Sequence, residues 1–244
     1  MRIPDVSITT VSRFVLTAAL LVGVFSLPAS AARKARAMFI QPAGEALEKA
    51  ILFTGKAYVE VELPQRNFSP EVDLPDGELV LAVLRKPLDA GQEVPADAPQ
   101  VKIPEAWSRC LLLFFPDPSN KFFPARVIPV NASAADFPKG HTLVYNVSSA
   151  AVMGKFGSEV VTVRPGKSAS LKPPVANFGD YPVEIDCIFP GDEKPSSVCR
   201  STWQHDPEAR QILFVTPAPG YKVPRVWGIL DREQDKEQGK AKAP

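Results

Sequence analysis

The chain has 244 residues, with 28 lysines and arginines against 27 aspartates and glutamates, so its formal net charge is +1 at pH 7. A charge this close to zero gives no basic excess that would attract nucleic acid or an anionic lipid surface. The 26 prolines are spread along the chain, which argues against long helices and favours short strands joined by turns.

The first 31 residues have the pattern of a cleavable secretory signal peptide. A polar start containing Arg2 and Arg13 precedes the uncharged run Phe14–Leu27. Pro28 follows, and then Ala29-Ser30-Ala31 supplies the small residues that signal peptidase reads. The uncharged run is short for a spanning helix, which needs about 20 apolar residues; an uncleaved anchor is the alternative. We predict an exported protein, periplasmic or extracellular, with no transmembrane segment after cleavage.

The rest of the chain has the pattern of many short β-strands. Tyr58–Leu63 alternates apolar with polar residues, as a half-exposed antiparallel strand does. Leu111–Phe115 and Ile212–Val215 are continuously apolar, which is typical of strands buried on both faces. Arg33–Arg36, just after the predicted cleavage site, is expected to be a solvated tail. The predicted strands are Met38–Gln41, Ala50–Phe53, Ala57–Leu63, Glu78–Leu84, Ser108–Phe115, Ala125–Val130, His141–Val147, Ala151–Phe156, Glu159–Val163, Ser168–Leu171, Val183–Phe189, Val198–Gln204, Gln211–Thr216 and Val223–Leu230.

So many strands without helical crossovers predict an all-β protein whose antiparallel sheets pack as a β-sandwich. We predict two packed β subdomains, with one single sandwich as the alternative. The predicted regions are a signal peptide (1–31), an N-terminal β region (32–115), a C-terminal β region (116–232) and a disordered tail (233–244).

Two short stretches carry a resemblance to known proteins. Tyr145-Asn146-Val147-Ser148, followed by Val161-Thr-Val-Arg-Pro-Gly-Lys-Ser168, resembles a recurring pattern of immunoglobulin-like exported domains. The whole mature chain is also similar to exported β-sandwich proteins of bacterial cell envelopes. The resemblance implies an antiparallel β-sandwich of the immunoglobulin-like kind, with the C-terminal region (116–232) as its immunoglobulin-like part, and it implies no particular activity.

Three cysteines follow the leader. Cys187 and Cys199 flank the loop sequence 190–195, and a hairpin there would bring them together in an oxidising compartment, so a disulfide is predicted. Cys110 adjoins an apolar run and is expected to be a buried free thiol.

No catalytic signature is present, and no cofactor is predicted. A lipase-type nucleophile elbow is lacking, and adjacent His205 and Asp206 on a strand would point to opposite faces. We therefore predict an exported, non-catalytic β-sandwich protein, acting as a binding or structural component of the cell envelope or extracellular space. Its partner is expected to be an envelope protein or a polysaccharide, not nucleic acid.

Two alternative functions remain open. Trp203 and Trp227 are candidate binding residues, because exposed tryptophans of a carbohydrate-binding module stack on sugar rings. Cys187, Cys199 and His205 are residue types that bind metals in exported sandwiches, although their spacing matches no known metal motif. No metal site is therefore predicted from them, and a metal or redox protein stays an alternative.

Overall fold

The structure is a computed structural model that describes residues 32–40 and 47–232. The predicted signal peptide and C-terminal tail lie outside these residues. The described part is all-β, with no helix in it and therefore none long and apolar enough to cross a membrane. Its strands are β1 (Arg33–Phe39), β2 (Lys49–Phe53), β3 (Tyr58–Glu62), β4 (Val72–Leu74), β5 (Leu79–Leu84), β6 (Gln100–Ile103), β7 (Arg109–Pro116), β8 (Ala125–Asn131), β9 (Thr142–Asn146), β10 (Ala151–Phe156), β11 (Glu159–Val163), β12 (Ser168–Leu171), β13 (Gly179–Ile188), β14 (Ser196–His205), β15 (Arg210–Thr216) and β16 (Arg225–Asp231).

The strands form four sheets that pack in two pairs. Sheet A has the order β4-β1-β7-β8 and sheet B the order β3-β2-β5-β6; together they form the N-terminal sandwich. Sheet C (β12-β9-β15-β16) and sheet D (β11-β10-β13-β14) form the C-terminal sandwich. All pairings are antiparallel except β1 with β7 and β9 with β15. The predicted all-β, sandwich architecture is confirmed.

The inner strands of sheets A and C are buried on both faces because the two sandwiches pack through these sheets. On β7, Leu112 and Phe114 point into the N-terminal core, while Leu111 and Leu113 point into a separate cluster with Phe214 of β15. Successive residues of a strand point to opposite faces, so a strand covered on both sides needs apolar residues at every position. This explains the two continuously apolar runs and gives the layer order B-A-C-D.

The two sandwiches repeat one topology, which the sequence analysis did not detect. Adding eight to each strand number of sheets A and B gives the orders of sheets C and D. The sequence repeats as well, at a spacing of 101 residues across β7 and β15 and of 99 residues across β8 and β16. Matching pairs are Arg109 and Arg210, Leu112 and Leu213, Pro116 and Pro217, Pro118 and Pro219, Lys121 and Lys222, Arg126 and Arg225, and Val127 and Val226.

The observed strands refine the predicted ones. Two short strands, β4 and β6, were missed, because strands this short carry too little alternation to be recognised. The predicted division between residues 115 and 116 falls at the end of β7, within a strand that forms a hairpin with β8. The strand order places the passage between sandwiches from Asn131 to Thr142.

The expectation of a solvated tail at Arg33–Arg36 is wrong. These residues belong to β1, an inner strand of sheet A, where Arg33 and Arg36 are buried. Arg33 donates to the carbonyl oxygens of Gly77 and Glu105, at 2.6 and 3.0 Å. Its partners come from far along the chain, so no local pattern could have indicated this burial.

A buried ion cluster joins the two sandwiches beside their shared apolar cluster. The carboxylate of Asp231, fully buried at the end of β16, pairs with Arg36 of β1 and with Arg210 of β15, whose Nε lies 3.3 Å from Oδ2. Arg109 of β7 lies 3.9 Å from the same carboxylate and 2.9 Å from Glu71. Burial lowers the pKa of Arg36, and Asp231 opposes that shift. One aspartate thus holds arginines from both halves of the molecule.

The residues that carry the immunoglobulin-like resemblance form a corner of the C-terminal sandwich. The side-chain nitrogen of buried Asn146 donates to the carbonyl oxygens of Ala150 and Val163, at 2.7 and 2.9 Å. Its oxygen accepts from the backbone N–H and hydroxyl of Ser148, at 3.0 and 2.7 Å. These contacts explain the motif as a structural one; the immunoglobulin-like assignment itself stays a prediction.

We predict that Asp231→Asn destabilises the whole molecule. The change leaves buried arginines without their counter-charge, and breaking a buried ion pair from one side costs about 3–5 kcal/mol. Urea denaturation measures the free energy of unfolding. Glu60→Gln, which removes the exposed pair between Lys49 and Glu60, is the control and should cost less than about 1 kcal/mol. Equal losses in the two variants would contradict the role given to Asp231.

Candidate functional site

An open cleft of about 500 Å³ lies along one edge of the C-terminal sandwich. It is bounded on one side by β14, the edge strand of sheet D, and on the other by the start of β16 and the loop before it. Its lining is mainly apolar. The lining residues are Val198, Cys199, Trp203, Ala218, Tyr221, Lys222, Val223, Pro224, Arg225 and Val226.

Two aromatic residues, Trp203 and Tyr221, line the cleft. Trp203 is half-buried: it lies opposite Tyr181 of β13, and its ring stands 6.0 Å from that of Phe156 at 59°. Tyr221, in the loop before β16, is 79% exposed. A large exposed aromatic beside an apolar cleft is a common anchor for a binding partner.

The charged residues of the lining are both basic. Lys222 is exposed and pairs with Asp192, 2.9 Å away, while its ammonium lies 5.9 Å from the ring centre of Phe189. Arg225 is exposed at the first position of β16. The cleft therefore offers an apolar floor with positive charge at its rim.

Strand β14 carries an irregularity at the cleft. Ile185 lies opposite Cys199 and Asp186 opposite Ser197, so Val198 is an extra residue in a β-bulge. A bulge bends an edge strand and turns side chains away from the regular alternation. Val198 and Cys199 consequently both line the cleft.

The predicted bridge between Cys187 and Cys199 is not formed in the structure, where both are free thiols. Cys187 lies opposite Ser196, whereas Cys199 lies opposite Ile185. The two cysteines are therefore diagonal neighbours, and such residues are about 7–8 Å apart, at or beyond the Cα separation that a disulfide tolerates. Cys110 is a buried free thiol, as predicted.

Cys187, Cys199 and His205 do not come together as metal ligands. Cys199 and His205 are six residues apart on one strand, which corresponds to roughly 20 Å. His205 is buried against Gly140, where an added Cβ would meet its Cε1 at 3.4 Å, and burial lowers its pKa. Within residues 32–40 and 47–232, no group of three or more potential ligands could hold a metal ion.

The second candidate tryptophan, Trp227, lies away from the cleft. It packs against Phe214, with ring centres 4.7 Å apart, in the cluster between the sandwiches. Of the two tryptophans that the sequence analysis named as candidates, Trp203 lines the cleft and Trp227 does not; Tyr221, Lys222 and Arg225, which also line it, were not named. The repeat of the pattern Pro-x-Pro-x-x-Lys at residues 116–121 and 217–222 was the available indication that this loop had a defined position.

The comparisons with known proteins do not assign the chain to a family. No protein-family model matches the chain, and a search of curated proteins finds no significant similarity.

We predict that the thiols of the native protein react slowly and in a fixed order. Burial raises the pKa of Cys110 to about 12 and also raises those of Cys187 and Cys199, so little reactive thiolate exists near neutral pH. Half-buried Cys199 should react first with a thiol reagent at pH 8, and Cys110 only after unfolding. Timed labelling followed by peptide mass spectrometry measures the order.

The mass of the unreduced protein is the accompanying control. Three thiols are expected, and a loss of two hydrogens mapped to Cys187 and Cys199 would contradict the separation deduced above.

Because the pKa of Cys110 is higher in the folded state, its contribution to stability is complete below the ordinary value of 9.0 and is lost as the pH rises toward 12.

Proposed function

We propose that the protein is an exported, non-catalytic binding protein of the cell envelope or extracellular space, and that it holds an extended segment of a partner protein along β14. The observation that carries this proposal is an unpaired edge strand lying directly beside an apolar cleft. The leader pattern of the sequence supports export.

The length and composition of β14 favour strand pairing. It has ten residues, the longest of the eight edge strands of the described sheets, and only β13 pairs with it. An edge strand exposes unpaired backbone N–H and C=O groups that another chain can pair with. Edge strands are commonly protected by lysine, proline or a β-bulge. Strand β14 has a bulge at Val198, but it contains no lysine or proline, and its residues 199–205 pair with β13 in regular register. By contrast, β6 has Lys102 and β8 has Pro129.

The cleft supplies the side-chain recognition that such pairing needs. In strand addition, backbone hydrogen bonds give affinity, and pockets beside the edge select alternate side chains of the incoming segment. The cleft lies beside residues 198–203 of β14, within reach of a chain paired there.

Carbohydrate binding is the weaker candidate for the same cleft. Trp203 and Tyr221 could stack on a sugar ring. Apart from a thiol and the indole of Trp203, the polar side chains of the lining are those of Tyr221, Lys222 and Arg225, few partners for the hydroxyl groups of a sugar. The apolar lining therefore favours a peptide.

We predict that β14 can be cross-linked to a partner protein. The photo-reactive residue p-benzoylphenylalanine, placed at exposed Thr202, should yield one specific protein adduct in an envelope extract, and Tyr221→Ala in the same chain should abolish it. The matched control is the same probe at Val160, which is 72% exposed on β11 at the opposite edge of sheet D.

A second control is Tyr58→Ala, which removes an exposed tyrosine of the N-terminal sandwich and should leave the adduct unchanged. Equal adducts from positions 160 and 202, or an adduct that is insensitive to Tyr221→Ala, would contradict binding at this edge. Binding of an acidic polysaccharide with no protein adduct would favour the carbohydrate function instead.

A further inference from the structure

The first copy of the repeat has an aromatic residue in the loop that corresponds to the loop lining the cleft. Lys121 and Pro124 in the loop between β7 and β8 correspond to Lys222 and Pro224 in the loop between β15 and β16. Phe123, directly before the shared proline, is fully buried in the N-terminal core. Its ring centre lies 6.1 Å from that of Phe114.

The first loop is built to hold this phenylalanine in place. The side-chain oxygen of Asn120 accepts hydrogen bonds from the backbone N–H groups of Phe122 and Phe123, at 3.0 and 2.9 Å. The backbone N–H of Asp117 donates to the carbonyl oxygen of Pro124 at 3.0 Å. The loop between β7 and β8 thus places an aromatic ring of its own in the core of the N-terminal sandwich.

The second copy lacks both rings of this pair. Counting from the shared lysine and from the strand register, Phe114 corresponds to Val215, and the residue before the shared proline is Val223 instead of Phe123. The second loop is also two residues shorter between the shared lysine and arginine. The cleft lies at this loop and is lined by Val223.

The charged residues at the rim of the cleft indicate the charge of its partner, as the missing rings indicate its shape. Lys222 and Arg225 are the charged lining residues, and both are exposed. Lys222 also pairs with Asp192 at 2.9 Å, so an acidic partner would compete with that exposed pair. Arg225 occupies the strand position of Arg126, which in the first copy lies over the ring of Phe115 at 5.2 Å. In the second copy the residue that corresponds to Phe115 is Thr216, which has no ring for Arg225 to contact.

We propose that the cleft binds an aromatic side chain, of the size of phenylalanine, carried by an extended partner segment with acidic residues beside it. This inference rests on the proposed function and specifies its partner. The incoming ring would take the place that Phe123 fills in the N-terminal sandwich, and the acidic groups would face Lys222 and Arg225. Alternate residues of an extended chain share one face, so the acidic residues are expected two positions before and after the ring.

A synthetic peptide tests the aromatic requirement directly. The probe is acetyl-Thr-Glu-Val-Phe-Val-Glu-Thr-amide, whose ring and carboxylates share one face, titrated into the full chain and followed by calorimetry. Replacing its Phe by Ala should weaken binding by about tenfold or more, as loss of a buried aromatic anchor does. Replacing both Glu by Gln should weaken it less and remove most of its salt dependence.

Filling the cleft from within is the complementary test. Val223→Phe restores the residue of the first copy and should lower the affinity for the Phe peptide by about tenfold or more. Val160→Phe adds the same ring on the opposite edge of sheet D and should change nothing. Trp203→Leu, which removes a wall of the cleft, serves as a second variant, and the melting temperature of each protein confirms that it is folded.

The outcomes separate this inference from the proposed function. Equal affinity for the Phe and Ala peptides, or no binding of the Phe peptide at about 1 mM while the cross-link at position 202 still forms, overturns the aromatic partner and leaves edge binding standing. Loss of the cross-link as well overturns both. The peptide partner would also be overturned if a uronic acid oligosaccharide bound the protein and the Val223→Phe variant no longer bound it.

Discussion

The arrangement of the two sandwiches depends on the ion pairs that Asp231 forms with buried arginines. Its carboxylate is fully buried and is paired by arginines from β1 and β15, with that of β7 close by. A buried charge is tolerated only when it is paired and hydrogen-bonded. Arg36 additionally donates to the carbonyl oxygen of Ser69 at 2.8 Å, and Arg210 to that of Ala132 at 2.6 Å. The cluster therefore fixes how β1, β15 and the chain between the sandwiches meet, because any other arrangement would leave charges unpaired away from water.

Around this cluster, the apolar faces of sheets A and C provide the area that holds the halves together. Met38, Leu113 and Phe214 are fully buried between the sheets, and burial of such side chains contributes about 1.5–3 kcal/mol each. Because sheets A and C pack against each other, sheets B and D lie on the outside of the molecule. The edges of sheet D, and with them the cleft beside β14, therefore remain accessible to a partner.

The repeated topology allows the cleft to be compared with the corresponding loop of the N-terminal sandwich. Two copies of one eight-stranded unit would bury the same residues if they had the same role, and across β7 and β15 they nearly do. They diverge where Phe123 of the first copy becomes Val223 of the second and the loop loses two residues. At this loop the first copy buries Phe123 in its own core, whereas the second copy has an apolar cleft with basic residues at its rim. This difference between two halves of one chain distinguishes the cleft from ordinary surface irregularity.

The local pattern of the sequence was sufficient for most of the strands. Ser168–Leu171 was predicted at its observed bounds, and the doubly apolar runs indicated strands buried on both faces, because alternation and continuous apolarity are properties of neighbouring residues. The burial of Arg33 and Arg36, the parallel pairing of β1 with β7, and the diagonal placement of Cys187 and Cys199 could not be predicted in this way. They depend on partners or on a strand register set far along the chain. Trp203 could be named as a candidate from residue type alone, but Tyr221, Lys222 and Arg225 joined it only through the packing of the loop before β16 against the edge of sheet D. The sequence thus determined the fold class and most of its strands, while the tertiary structure decided the site, because a cleft is formed by residues that only long-range packing brings together.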